Sequence, residues 1–429
     1  MARADLVAAS VPWYREVSKE QWRAFFATFL GWVVDAFDYN MLAFVLLDIR
    51  QSFTVDNTLA GALATVTLVM RLAGGVIAGT AADKWGRKLP MMLSILWFSL
   101  FAFLSGFSTS YGMLFAFRAL FGIGMGGEWT SGMPLLLEHW PTRLRGIASG
   151  LLLGGWYWGY LLAAMAFHFL YPLFQGMPDI GWRAMFWLAV LPAFITLWIR
   201  TGVSESPVWL ARQKKLEQAK RDGVPIHEPR ISLVRIFKPD LIRTTIHTSA
   251  LIGAFMCSFY SISQWYPTFL REGGRATLPF MVAFNIGAIG GTAFWGRLSE
   301  TKLGRRGAVT ITALVGAASI PLYLHADTVS QLMAGAFLMG AFGCGIWGMA
   351  PAYVTERYPT SARGVGPGFC YHVAAAIGSV MPLLIGRLQD QGMSVANAMT
   401  IPIAVSLTSS AILIWLGPET RGRHFTDEP

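Results

Sequence analysis

The chain has 429 residues, of which 54% are hydrophobic and only 14% are charged, with a mean hydropathy of +0.48. Soluble domains carry roughly a quarter charged residues. The composition therefore excludes an ordinary soluble globular protein and predicts an integral protein of the cell membrane. The formal net charge of +10 would suit a nucleic-acid partner, but the placement of the charges, described below, argues against one.

The predicted elements are membrane-spanning helices, because lipid cannot satisfy the open edge of a sheet. A spanning helix needs about 20 apolar residues. Such segments, about twelve by that measure, begin near residues 24, 58, 89, 111, 145, 181, 243, 275, 307, 330, 364 and 395. The eleventh contains Gly378 and Pro382, which disfavour a continuous helix, so the sequence does not define where this span ends. The predicted fold class is an all-α membrane protein.

Basic residues concentrate on one side of the membrane if successive loops lie on alternating sides of it. Of the 34 Lys and Arg, 27 then share one side, and ten of these lie between Arg200 and Arg243. The positive-inside rule makes that side cytoplasmic and places both termini there. Anionic lipid headgroups suffice as partners for this charge. We expect a monomer with no nucleic-acid partner and no cofactor.

A long-range repeat divides the chain. "PLLLEHWPTRLRGIASG" from Pro134 and "PAYVTERYPTSARGVGPG" from Pro351 align at an offset of 218 residues, with Glu138 matching Glu356. "GTAADKWGRK" and "GRLSETKLGRR" form a second aligned pair. Two six-helix halves are typical of transporters with parallel repeats. The predicted units are an arm at 1–23, bundles at 24–200 and 243–417, a linker at 201–242 and a tail at 418–429.

These motifs carry a family resemblance that extends over essentially the whole chain. "GTAADKWGRK" and "RALFGIGMGG" resemble signature segments of the major facilitator superfamily, and "SESPVWLARQK" and "GPETRG" are common in its metabolite and sugar branches. The opening "PWYREVSKEQWRAFFATFLGWVVDAFDYNMLAF" resembles the branch of sialate and lactate proton symporters. The stretch "CSFYSISQWYPTFL" departs from the lactate pattern, because the expected His and Asp are absent.

Ionisable residues inside predicted spans are functional hypotheses by default. They are Asp35, Asp38, Arg71, Arg118 and Glu128. The residue that lies 218 positions after each of these five is neutral, whereas the residue 218 positions after Trp129 is also a tryptophan, Trp347. The fold is therefore repeated but the charges are not, which predicts that proton coupling belongs to the first half. We expect Asp35, Asp38, Glu128 and Arg118 to take part in coupling, with Asp38–Arg118 and Arg71–Glu128 as ion pairs.

Substrate contacts are predicted from both halves. Arg71 offers a planar fork to a carboxylate, and its position fits the helix 2 arginine of the monocarboxylate branch. Polar residues at depth in the second half supply the other candidates, Tyr260, Gln264, Asn285 and Tyr371. His168, His247 and His372 are more often packing residues than proton relays.

Loop residues are candidates for gating. Asp83, Arg87, Glu300 and Arg305 occupy the repeated loop motifs and are expected to form salt bridges between helices that hold one conformational state. Gly122, Gly124 and Gly127 match G-x-G-x-x-G, but the required strand is missing. Close helix packing explains these glycines better.

The leading functional hypothesis is proton-coupled symport of a small organic acid anion, such as lactate, pyruvate or sialic acid. A sugar or aromatic-acid proton symporter of the same fold is the first alternative. A non-transporting membrane sensor is the second, and the short tails argue against it. The chain has no H-E-x-x-H, G-x-S-x-G or Walker lysine, so we expect neither an enzyme nor an ATP-driven pump and no metal site.

Overall fold

The computed structural model describes residues 13–421, apart from 142–143, 175, 178, 192–193, 195–197, 200, 223–232, 360–361 and 363–364. All the regular elements in these residues are helical. The predicted arm and tail lie partly outside the described residues, so the predicted domain boundaries stay predictions.

Among the described residues, the first half contains six main helices besides one helical turn at Trp13–Glu16 and 3-10 turns at Tyr171–Phe174 and Leu188–Val190. In chain order they are α1 Lys19–Phe53, α2 Asn57–Trp85, α3 Lys88–Ser105, α4 Tyr111–His139, α5 Arg145–Leu170 and α6 Ile180–Trp187. A linker helix, α7, follows at Pro207–Asp222.

The second half is built from shorter pieces. They are α8 Ile242–Ser263, α9 Tyr266–Glu272, α10 Thr277–Leu298, α11 Gly304–Ala318, α12 Ile320–Leu324, α13 Val329–Leu338, α14 Ala350–Glu356, α15 Gly366–Gly378, α16 Val380–Asp390 and α17 Val395–Leu416. A π-helical turn at Met339–Gly343 and a 3-10 turn at Gly345–Gly348 connect α13 to α14.

The expected twelve spans are confirmed. In the described part of the chain, nine helical segments are long and apolar enough to cross a membrane. The other three spans are α4, which carries buried charges, the short α6, and the pair α11–α12.

Local hydrogen bonds determine where a span begins. The first helix, α1, starts at a capping box in which Gln21 N donates to Ser18 Oγ and Ser18 N donates to Gln21 Oε1.

Breaks within spans occur in the second half and free backbone carbonyls that lipid could not satisfy. Side chains satisfy them instead. Between α8 and α9, Ser263 O accepts from the Tyr160 hydroxyl at 2.6 Å. Between α15 and α16, Ser379 O accepts from the Thr65 hydroxyl at 2.6 Å. Tyr160 and Thr65 belong to the first half, so the two breaks lie where the halves meet.

Glycines set the closest helix approach in the first half. A Cβ on Gly122 would lie 2.1 Å from Thr67 O, and one on Gly126 would lie 2.0 Å from Arg71 O. Both carbonyls belong to α2, so α4 can contact α2 only because these positions lack side chains. The other two motif glycines are equally close packed, since a Cβ on Gly124 would lie 2.7 Å from Phe98 N and one on Gly127 would lie 2.9 Å from Ala78 Cβ, which confirms the packing interpretation of the G-x-G-x-x-G segment.

The halves meet along two matching helix pairs. The second span, α2, packs against the eleventh, α15 and α16, while the fifth span, α5, packs against the eighth, α10. The two helix pairs are equivalent under the sequence repeat, because the repeat relates span 2 to span 8 and span 5 to span 11. We name the end of the bundle that carries α7 the linker end, and the opposite end the far end.

Candidate functional site

Five ionisable side chains are buried together in the first half. Their exposed fractions are 0% for Asp35, 2% for Asp38, 1% for Arg71, 0% for Arg118 and 1% for Glu128. An effective desolvation cost of several kcal/mol per ion applies to such groups. Many of their polar atoms have no hydrogen-bond partner in the described structure. These buried charges therefore do not contribute to stability in the way that apolar residues at the same positions would.

Arg71 lies against aromatic rings. Its Cζ is 5.3 Å from the ring centroid of Trp32, 5.9 Å from that of Trp156 and 5.5 Å from that of Tyr371. These distances suit cation–π attraction. Its Nε and Nη2 atoms are buried without partners. They form one edge of the guanidinium, the geometry that binds a carboxylate through two parallel hydrogen bonds.

Arg118 is held differently from the expectation. Its Cζ lies 4.2 Å from the ring centroid of Phe121 and 5.7 Å from that of Phe186. None of its three nitrogens has a hydrogen-bond partner among the described residues. Neither expected pair, Asp38–Arg118 or Arg71–Glu128, forms a salt bridge within 4 Å in the described residues. The pairing was wrong because helical rise gives depth in the membrane but not the direction in which a side chain points.

The three carboxylates are linked through Asp35. Asp35 interacts electrostatically with both arginines, Asp38 with Asp35 and Arg118, and Glu128 with Asp35 and Arg71. Both oxygens of Asp35 and of Glu128 lack partners, as does Asp38 Oδ2. Glu128 Oε1 reaches α1, where a Cβ on Gly31 would lie 2.8 Å from it. Protonation of one carboxylate would therefore change the electrostatic potential at the other two.

The second half contributes neutral polar groups. Tyr260 is 1% exposed and its ring centroid lies 6.1 Å from that of Tyr39, while Tyr371 stacks on Trp129 at 4.9 Å. Both tyrosines lie close enough to Arg71 to interact with it electrostatically. The structure therefore places these two predicted residues beside the predicted carboxylate clamp.

Gln264 and Asn285 are fully buried. Both amide atoms of Gln264 lack partners at the break between α8 and α9. Asn285 Nδ2 donates to Met281 O at 2.8 Å, which leaves its Oδ1 unpaired. Among the described residues neither amide hydrogen-bonds to the five charges, so their role as substrate contacts stays a prediction.

The histidines occupy different environments. His168 is exposed on α5. His247 Nε2 lies 2.8 Å from Leu413 O. His372 is buried and reaches across the interface, where its Nε2 lies 3.1 Å from the Thr130 hydroxyl.

The loop motifs at the linker end form matching ion pairs in the two halves. Arg87 lies 3.4 Å from Glu138, and Arg305 lies 2.8 Å from Glu356 and 2.6 Å from Glu300. The side chain of Asp83 lies outside the described residues. Gating by the four predicted residues stays a prediction, although three of them now have named partners.

Sequence reasoning missed two carboxylates that complete these motifs. Glu205 accepts from the backbone of Arg87 at 2.8 Å and Lys88 at 3.1 Å. Glu419 accepts from the backbone of Arg305 and Arg306, each at 3.0 Å. Each carboxylate satisfies donors at the start of the third span of its half. The quoted segments "SESP" and "GPETRG" contained the signal, because each puts an acidic residue directly after a bundle.

The far end is closed by contacts between the halves. Arg271 donates to both oxygens of Asp48, at 2.5 and 3.0 Å, and to Phe44 O at 2.8 Å. Tyr171 also donates to Asp48. A second bridge joins Arg50 to Glu272 at 3.5 Å. We call these contacts the far-end latch. No sequence motif predicted them.

Asp390 adds a third connection at the far end. From the end of α16 it accepts from the backbone N–H groups of Asn57 at 3.0 Å and Thr58 at 2.7 Å. A residue of the second half thus caps a helix of the first. Together with the far-end latch, it closes this end of the bundle around the buried charges.

Comparison with known proteins agrees with this architecture. The family model of the Major Facilitator Superfamily matches residues 28–369 and again 275–428, and the chain belongs to that superfamily. It is therefore a transport protein by family and a multi-pass protein of the inner membrane.

Individual relatives cover nearly the whole chain. It is 32% identical to a probable 4-methylmuconolactone transporter of Cupriavidus pinatubonensis, over 96% of this chain and 93% of that one. It is 29% identical to the sialic acid transporter NanX of Escherichia coli, over 94% and 95%. The inward-open xylose transporter XylE of E. coli superposes with a TM-score of 0.75 at 16% identity, covering 94% of this chain and 98% of that one.

Glu419→Gln should destabilise the second half in a pH-dependent way. Burial raises the pKa of Glu419, but backbone donors from Arg306, Arg421, Arg305 and Thr420 outweigh it and hold the pKa below the ordinary value of 4.5. A carboxylate with a lowered pKa stabilises above its unfolded-state pKa and stops doing so as the pH falls through its folded value. At pH 7 we expect a loss of about 0.5–2 kcal/mol, measured by thermal unfolding in detergent.

Glu300→Gln is the matched control, because Glu300 is more than half exposed and exposed ion pairs contribute little. Its effect should be smaller. The difference between wild type and Glu419→Gln should shrink below pH 4.5. A difference that stays constant as the pH falls well below 4.5 would contradict the charged cap.

Arg271→Gln should open the far end. The substitution removes both hydrogen bonds to Asp48, and charge-assisted bonds are worth about 1.5–3 kcal/mol each. Since about 1.4 kcal/mol corresponds to a factor of ten, we expect the far-end-open population to rise by at least tenfold. Spin labels at Thr54 and Gln391, which are exposed on opposite halves, would report it as a longer distance. Arg275→Gln is the control, since Arg275 lies over Phe269 of its own half; equal distributions in both variants would rule out the latch.

Proposed function

We propose that the chain is a secondary active transporter that imports a small organic acid anion together with protons by alternating access. The single observation that carries this is the unpaired Nε–Nη2 edge of the buried Arg71 beside buried, unpaired carboxylates. A neutral sugar would not require such an edge. The family and the relatives support transport of a small molecule, and the two relatives described above carry organic acids.

Charge balance supports proton coupling. The five buried groups sum to one negative charge when all are ionised, since three are acidic and two are basic. An anion entering alone would double that charge in a desolvated site. One proton entering with a monovalent anion leaves the balance unchanged. Import against a negative-inside potential also costs about 2.3 kcal/mol per charge per 100 mV, which a proton offsets.

The proposed orientation follows from the basic residues of the linker. We place the linker end, both termini and the ion-paired loops in the cytoplasm, because Lys and Arg concentrate there. The far-end latch then faces outwards. Substrate and proton would enter after the latch opens and leave towards the linker end. Arg87, Glu300 and Arg305, with Asp83, would stabilise the loops at that end during the exchange.

Asp35→Asn should separate coupling from transport. Asp35 interacts with both arginines and so is our first choice for the proton carrier. The neutral amide mimics its protonated form, so uphill uptake driven by a pH gradient should vanish in proteoliposomes. Exchange of labelled for unlabelled substrate should survive, because the loaded carrier still alternates. Asp38→Asn and Glu128→Gln are the next candidates.

Asp327→Asn is the control, because Asp327 is exposed on a loop and should behave as wild type. If the Asp35, Asp38 and Glu128 variants all still concentrate substrate when only a pH gradient is supplied, the proposed coupling is wrong.

Arg71→Lys should weaken binding of the acid by tenfold or more. Lysine keeps the charge but loses the planar fork that binds both carboxylate oxygens. The measurement is the apparent affinity in counterflow, which needs no proton gradient. Arg275→Lys, a change at the far-end surface, should leave that affinity unaltered. Normal affinity in Arg71→Lys would make Arg71 structural.

A further inference from the structure

Four aromatic rings form a continuous wall beside Arg71. Tyr371 stacks on Trp129 at 4.9 Å, Trp129 lies 4.5 Å from Trp32, and Trp32 lies 5.0 Å from Trp156. We call these four rings the aromatic wall. Three of the rings come from the first half and Tyr371 from the second, so the wall crosses the interface.

The wall also presents hydrogen-bond donors. The indole Nε1 atoms of Trp32 and Trp156 are buried without partners, like Nε and Nη2 of Arg71. An indole nitrogen and a guanidinium only donate. Nothing among these four atoms can accept a hydrogen bond, so a ligand that satisfies them must be rich in acceptors.

We infer that this carrier selects planar, conjugated carboxylates that carry a second hydrogen-bond acceptor, and that the aromatic wall makes the selection. This inference rests on the proposed function, in that it takes the Arg71 site to bind the transported acid. It names the class of acid, which that proposal leaves open.

The geometry of the carboxylate provides the reason. A carboxylate bound to the Nε–Nη2 edge lies in the plane of the guanidinium. Conjugation keeps the rest of an aromatic or unsaturated acid in that same plane. The guanidinium already lies over Trp32, Trp156 and Tyr371, so a flat acid held in its plane is brought against these rings and gains stacked or tilted aromatic contacts with them.

Saturated acids fit this arrangement less well. A tetrahedral carbon next to the carboxylate directs the remaining atoms out of the guanidinium plane and away from the rings. Lactate is also too short to engage the wall while its carboxylate stays on Arg71. Sialic acid presents a saturated ring with polar substituents, which flat aromatic faces do not satisfy. Both remain useful comparison substrates.

The test uses pairs of acids matched in carbon number and charge. Benzoate against cyclohexanecarboxylate, and cis,cis-muconate against adipate, differ in planarity and conjugation. We would measure proton-driven uptake of each labelled acid in proteoliposomes, with lactate and sialic acid alongside. The planar member of each pair should be favoured tenfold or more in kcat/KM. Nicotinate, whose ring nitrogen is a second acceptor, should exceed benzoate.

Variants of the wall test its role separately from folding. Trp156→Leu should reduce the planar preference by at least fivefold. Trp156→Phe keeps a flat ring without the N–H, so it should retain the planar preference but lose the advantage of nicotinate over benzoate. Trp295→Phe is the matched control, because Trp295 is buried in the second half against Phe342, away from the wall.

The outcomes distinguish the two proposals. Equal or better uptake of the saturated acids, or a planar preference that survives Trp156→Leu, would overturn the inference and leave organic acid symport standing. Uptake of none of these acids under a pH gradient would instead contradict the proposed function itself.

Discussion

The burial of five charges in one half of a lipid-embedded bundle is the constraint on which the rest of the structure depends. Fold stability alone would favour apolar residues at these positions, because desolvation costs several kcal/mol per ion. The surrounding residues reduce that cost in specific ways. Aromatic faces lie against both arginines, and glycines on α4 allow close packing against the α2 backbone that carries Arg71. The carboxylates remain without partners, which leaves them able to change protonation state.

The two halves contribute different physical properties to this site. The first supplies the charges on helices that run unbroken through the membrane. The second supplies neutral polar groups and helices that break at Gln264 and Ser379. Side chains of the first half bond to the carbonyls freed at the breaks, so the interface depends on hydrogen bonds that can exchange. The two ends of the bundle differ in their ion pairs. At the far end the ion pairs join the two halves, whereas at the linker end each ion pair lies within one half.

The sequence predicted the architecture well, because hydrophobic length, basic residues and the repeat each report directly on membrane spans. It also located the five buried charges of the first half. It failed on pairing: Asp38 and Arg118 lie at similar predicted depth, yet Arg118 points onto Phe121. Helical rise carries no information about such directions. Contacts between residues far apart in sequence, such as Asp48 with Arg271 or Glu419 with the start of α11, were equally invisible, since each requires the folded arrangement of several helices.

The unequal distribution of charge between the repeats has a consequence for how such a carrier could diversify. The second half carries none of the five buried charges, so its residues at the site are free of the desolvation cost that constrains the first half. Substitutions at Tyr260 or Tyr371 could then alter the shape of the site while Arg71 and three of the four rings of the aromatic wall stay unchanged in the first half. A hybrid that joins the first half of this chain to the second half of a related carrier should therefore keep both the buried charges and most of the aromatic wall.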